Sequence, residues 1–214
     1  RIMEELDLLK KAWQKDSHSY EQVSENEIYK MLHKKSSSIV KWILIISIIE
    51  VLFWAVISIF FKVDEYLKNL NAENLSMYFQ VLNVVNYVVI LWFIYNFYKN
   101  YIKISTTAST NQLMHDILKT RKTVKYYVWY NLLMSLLSMI AAFIMEFEFN
   151  PRMEIVKNQI ANENNYNTLI VTVGIMLLII IVFIGLVWLF YRLLYGILLR
   201  KLNSNYKELK KIDL

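Results

Sequence analysis

Residues 173–190 read VGIMLLIIIVFIGLVWLF, eighteen positions without a charged side chain. A helix made of them has no polar face to turn toward water, so a buried helix of a soluble bundle does not fit. A hydrocarbon core about 30 Å thick asks for about 20 largely apolar residues in helix, because every backbone N–H must be satisfied inside its own segment. With its flanks the stretch meets that demand over 169–191. Three further blocks do the same, over 39–61, 79–98 and 126–145. The chain therefore reads as an all-α integral membrane protein, a four-transmembrane-helix bundle.

Composition agrees. Of 214 residues 57% are apolar, 15% aromatic and 20% charged, and mean hydropathy is +0.33. That is more apolar side chain than the core of a soluble domain can hide. Three Gly, one Pro and no Cys argue against barrels, propellers, phosphate-cradling Gly loops, disulfide-stapled modules and Cys-based metal or redox sites. The first apolar block starts too deep and runs too long for a signal peptide's apolar region, so no cleavage is expected.

Orientation follows from Lys and Arg. Residues 1–42, 99–125 and 192–214 hold 8, 6 and 6, while 62–78 and 146–167 hold 2 each. Four crossings with both termini in the cytoplasm put the three rich segments on one side. Trp42, Trp129, Trp188, Tyr98, Tyr126, Tyr127 and Tyr191 then form an inner aromatic belt, and Phe60, Phe61, Tyr78 and Phe79 mark the outer edge.

The chain divides into a cytoplasmic amphipathic arm over 1–38, the four-span bundle over 39–191 with a basic hairpin at 99–125, and a cytoplasmic helical extension over 192–214. In the arm, Leu6, Leu9 and Trp13 share a helical face. Ser24 and Glu27 have the spacing of a capping box, with Ile28, Met31 and Leu32 following as a short apolar face. Short amphipathic helices on the membrane surface and a docking arm for a partner both fit. Ser109 or Thr110 caps the helix that feeds the third span, the fourth helix frays at Asn203-Ser204-Asn205, and Asn150-Pro151 opens a short outer helix.

Glu50 is the one acid deep in a block, eleven residues in from 39 and so about 16 Å deep at 1.5 Å per residue. Ser47, Glu50, Trp54 and Ser58 make one stripe, and Asn131, Ser135, Ser138 and Ala142 another. Depth counting predicts a midplane polar cluster of Glu50, Asn86, Ser135 and Ser138. Such a cluster serves as interhelical glue or as a proton- or cation-binding point in a transport path. Gly174, Gly185 and Gly196 recur every eleven residues, close to three turns, and predict a close-packing face on the fourth helix, within the bundle or in a homo-oligomer.

Enzyme chemistry finds no support. His18, His33 and His115 have no metal-ligand spacing, and there is no Walker loop, nucleophile elbow or acidic pair. No cofactor or metal is expected, and the basic segments lack the interleaved aromatics of nucleic-acid binding.

EELDLLKKAWQKD, SENEIYKMLHKKSSSIVKWILIISIIE and RKTVKYYVWYNLL, starting at 4, 24 and 121, resemble stretches of uncharacterised four-span inner-membrane proteins of Bacteroidota. The resemblance implies a bacterial cytoplasmic membrane and this topology, and assigns no chemistry. Proteins of that kind sometimes accompany extracytoplasmic-function sigma factors, which implies an anti-sigma-like role. The expected function is a non-enzymatic membrane protein that engages a cytoplasmic partner, as scaffold or regulator. The alternative is a small proton- or cation-coupled transporter or channel using Glu50.

Overall fold

The computed structural model describes residues 24–60, 63–162 and 166–212; Leu6, Leu9, Trp13 and His18 lie outside the described residues. Helix α1 (Glu25–Phe60) is followed by α2 (Val63–Asn69), a 3-10 turn at Glu73–Leu75, α3 (Ser76–Thr106), α4 (Thr110–Phe149), α5 (Pro151–Asn162) and α6 (Tyr166–Ile212). Four helical stretches, Glu25–Asn69, Glu73–Thr106, Thr110–Phe149 and Tyr166–Lys211, are long and apolar enough to cross a membrane.

Local chemistry explains the helix starts. Ser24 and Glu27 close the capping box: the Glu27 amide donates to Ser24 Oγ at 3.3 Å, and the Ser24 amide donates to Glu27 Oε2 at 3.0 Å. Ser109 Oγ accepts the Gln112 amide at 3.3 Å and starts α4. Asn150 Oδ1 accepts the Arg152 amide at 2.9 Å, with Pro151 as the first residue of α5. Helix α2 stops at Asn71, which takes φ 53°. There the Ala72 amide reaches the Leu67 carbonyl at 2.9 Å and the Asn71 amide reaches Lys68 at 3.0 Å, the two bonds of a Schellman end.

The long helices pack in a square. Helix α1 touches α3 and α6, and α4 touches the same two, so α1 and α4 sit on a diagonal. In α3 the buried positions Ile90, Phe93, Phe97, Asn100 and Ile104 step by 3 and 4, and Leu113, Ile117, Thr120, Val124 and Tyr127 do likewise in α4. Spacing of this kind averages 3.5 residues and is the seam of a left-handed bundle.

Two cores are stacked along the axis. Ile43, Ile90, Phe93, Phe97, Val124, Tyr127, Leu132, Tyr191 and Tyr195 form the first. Leu32, Val40, Ile104, Leu113, Ile117, Leu202 and Leu209 form the second, beyond the ends of three of the four apolar blocks. Leu32 near the start of α1 and Leu209 near the end of α6 share it, so both ends of the described chain lie at that end. At the far end Leu67, Leu70, Ala72 and Met145 make a small third cluster with Leu75, Phe79 and Phe149.

Three expectations change. Residues 25–38 do not form an arm helix ahead of the first span. They are the first turns of α1, held by Leu32 and Ser36 in the second core. Asn203-Ser204-Asn205 does not fray α6, because Asn205 is buried and its Nδ2 donates to Ser36 Oγ at 3.0 Å. The glycine face does not pack inside the bundle: a Cβ on Gly174 or Gly185 would meet nothing within 4 Å, and one on Gly196 only the Arg192 stem. Helix α6 turns its half-buried residues Thr172, Met176, Ile180 and Ile184 inward, which leaves Gly174 and Gly185 facing outward.

Candidate functional site

Glu50, on the buried seam of α1 with Ile43 and Ser47, is 6% exposed. Three phenols converge on its carboxylate. Tyr127 on α4 donates to Oε2 at 2.9 Å, Tyr195 on α6 donates to Oε2 at 3.1 Å, and Tyr191 donates to Oε1. All three tyrosines are buried. Phe93 and Phe97 from α3 meet the Tyr127 ring edge-on at 5.5 and 5.4 Å, and the Tyr191 and Tyr195 rings stack at 6.0 Å. The node draws a side chain from each of the four helices. A carboxylate buried with three O–H donors meets the demand that an interior acid be fully hydrogen-bonded. It ties α1 to both α4 and α6.

The predicted polar cluster does not assemble around Glu50. Tyr127 is the second residue of the 126–145 block, Tyr191 the last of 169–191, and Phe97 the last but one of 79–98. Three helices therefore put the node at the end of their apolar blocks, where α1 alone put it in the middle. The cause lies in α1, whose block starts early because Val40 and Ile43 are apolar for packing in the bundle. Asn86 lies eleven residues beyond Phe97 and Ser138 eleven beyond Tyr127. Those two are thus level, and about 16 Å from Glu50 at 1.5 Å per residue. Asn86 Oδ1 accepts from Tyr130 at 2.9 Å, Ser135 is half-buried and Ser138 is exposed.

The aromatic belt divides in the same way. Of the residues expected in it, Trp42, Trp129, Trp188, Tyr98 and Tyr126 are exposed, whereas Tyr127 and Tyr191 turn into the core. Arg192 covers the Trp188 ring at 4.9 Å. Tyr191 and Tyr195 were missed because an apolar block hides its seam. The readable signal was the spacing of 191, 195, 198, 202, 205 and 209, which continues the 3-and-4 step down the last helix.

Below the node the second core is pinned by polar pairs between segments. Besides Asn205 with Ser36, the Tyr29 hydroxyl donates to the Thr107 carbonyl at 3.0 Å, and the Thr107 hydroxyl, 2.6 Å from the Lys103 carbonyl, also lies 3.3 Å from Asp116 Oδ2. On the outer surface of this part, α1 and α6 border a groove of about 690 Å³ that includes Lys34, Lys35, Lys201, Asn205 and Glu208 in its lining.

No curated protein and no solved structure matches the chain. Residues 26–214, the two stacked cores and the Glu50 node included, match the model of the family described as "Domain of unknown function (DUF8845)", and the chain belongs to that family.

Proposed function

We propose that this protein is a non-enzymatic integral membrane protein of a bacterial cytoplasmic membrane that holds a rigid cationic stalk in the cytoplasm and engages a protein partner there, as a scaffold or anti-sigma-like regulator. The observation that carries the reading is the second core. An anchor needs only its spans, yet here the four helices continue past the apolar blocks, with a close-packed interior. From Tyr127 to Thr110 the stalk is about 25 Å long at 1.5 Å per residue. Its segments, 24–49, 97–127 and 191–212, carry sixteen Lys and Arg against Glu25, Glu27, Asp116 and Glu208. Such charge supports a cytoplasmic side for the stalk and suits a partner with an acidic face. The arm bearing Leu6, Leu9 and Trp13 leads into α1 at the stalk's free end.

Co-purification after mild detergent extraction tests the reading. A partner should be retained by the wild-type chain and lost on combining Leu9→Asp with Trp13→Asp, or Lys34→Glu with Lys201→Glu. Identical protein lists from all three end it. Reporter tags at Asn71 and Asn158 should lie outside the cytoplasm, and cytoplasmic tags there reverse the topology. The competing reading, a transport path through Glu50, draws on the buried carboxylate. Against it, both carboxylate oxygens are held by phenols from two helices. Reconstituted proton or cation flux abolished by Glu50→Gln would replace the docking reading.

A further inference from the structure

We propose that the half of the bundle beyond the Glu50 node encloses a water-filled polar vestibule lined by Asn83, Asn86, Ser135 and Ser138 and floored by the buried apolar residues Ile90, Phe93 and Leu132. The argument starts from the seam of α3. Phe79, Asn83, Asn86, Ile90, Phe93 and Phe97 follow one another by 4, 3, 4, 3 and 4, a single inward line. Both ends of the line are packed: Phe79 sits against the Leu67–Met145 cluster and Phe93 against Tyr127. Asn86 faces α4, since it accepts from Tyr130. Asn83 lies between these inward contacts and is nevertheless exposed.

The facing helix repeats the pattern. In α4 the line from Tyr127 through Asn131, Met134, Ser138 and Ala141 reaches Met145, which is buried in the outer cluster. Ser138, midway along it, is exposed, and it is level with Asn86. Across from them, residues 166–190 of α6 include no buried position. Two inward lines, each packed at both ends and exposed at a polar residue in the middle, describe an opening between the helices rather than a surface.

Chemistry identifies the occupant. Neither Asn83 nor Ser138 makes a hydrogen bond to another described residue. Against hydrocarbon, an amide without a partner is strongly disfavoured, so lipid chains do not suit the gap. Water does, given several donors and acceptors within one opening. The walls carry no formal charge, so any solute that replaces the water is small, neutral and hydrogen-bonding.

The chain has no native cysteine, so single-cysteine scanning runs without background. Asn83→Cys, Asn86→Cys and Ser138→Cys would be placed in lipid nanodiscs and treated with a charged, water-soluble methanethiosulfonate reagent. Val85→Cys and Ile140→Cys, two residues and so about 200° around each helix from Asn83 and Ser138, report the lipid face. Glu154→Cys on α5 reports free solvent. The thiolate attacks the reagent's thiosulfonate sulfur, forming a mixed disulfide and expelling methanesulfinate, and apolar surroundings suppress the thiolate. The vestibule cysteines should label at rates within about tenfold of Glu154→Cys and at least about a hundredfold above the lipid-face pair. Ser138→Cys is nearly isosteric and carries the test alone where an asparagine replacement does not fold. Vestibule cysteines as slow as those of the lipid-face pair would mean that lipid, a second copy or helix collapse fills the gap, and would overturn the proposal.

Discussion

The Tyr127 hydroxyl on α4 reaches across the bundle diagonal to Glu50 on α1, with 2.9 Å between donor and acceptor. Helices on a diagonal touch little, so this bond and the Phe93 and Phe97 rings around it set how far apart α1 and α4 stand. Tyr191 and Tyr195 bring α6 to the same carboxylate. The node joins the apolar blocks to the stalk.

Removing the acceptor should harm the fold more than removing one donor. Tyr127→Phe deletes one of three bonds, a loss of about 1–2 kcal/mol on the scale of buried hydrogen bonds. Glu50→Leu leaves three buried phenols without an acceptor, and about 3–5 kcal/mol is expected from their combined desolvation. Glu50→Gln keeps an acceptor and should fall between the two. Unfolding in mixed micelles with rising dodecyl sulfate ranks the variants. A Glu50→Leu chain as stable as wild type would remove the node from the account of stability.

The second core behaves as protein interior. Ile117 is fully buried there, and Ile117→Ala should cost about 2–5 kcal/mol through lost contacts and the cavity left behind. Leu178 is 62% exposed in the apolar part of α6, and Leu178→Ala should stay within about 0.5 kcal/mol of wild type. Equal effects in thermal unfolding of the two variants would contradict a packed stalk.

Asn205 and Ser36 act as a register pin. Asn205→Ala should destabilise by about 1–3 kcal/mol, because it strands the buried Ser36 hydroxyl. Adding Ser36→Ala removes the stranded group, so the double variant should recover part of that loss, with a coupling energy of about 1 kcal/mol. Strictly additive losses in the same unfolding assay would show that the pair does not interact.

The outward glycines should tolerate a methyl group. Gly174→Ala and Gly185→Ala place a Cβ in open space and should keep or raise thermal stability, by up to about 1 kcal/mol each on the aqueous helix scale. A sharp loss for either, with a change in oligomer size by light scattering, would show a neighbouring helix seated on that face.

Much of the fold was legible residue by residue. Ser24 with Glu27, Ser109, and Asn150 before Pro151 each fulfil a capping requirement by contacts within three residues, so short-range spacing sufficed. Block lengths were legible for a similar reason, since backbone satisfaction within one helix sets how many apolar residues a crossing needs. Tyr191 and Tyr195 were harder to read, because among Ile, Leu and Val an aromatic suits lipid and interior alike.

The chain's own order of residues established four long apolar helices, the side on which the cations gather, where the helices begin, and that Glu50 needs partners. Those properties depend on neighbours within a turn or two and on the solvent each stretch can accept. Which side chains became those partners depended on how far each helix slides along the next, and nothing local sets that offset. Packing set it: once Tyr127 lodged between Phe93 and Phe97 and Asn205 met Ser36, Glu50 came level with the tyrosines and Asn86 was left level with Ser138, about 16 Å away.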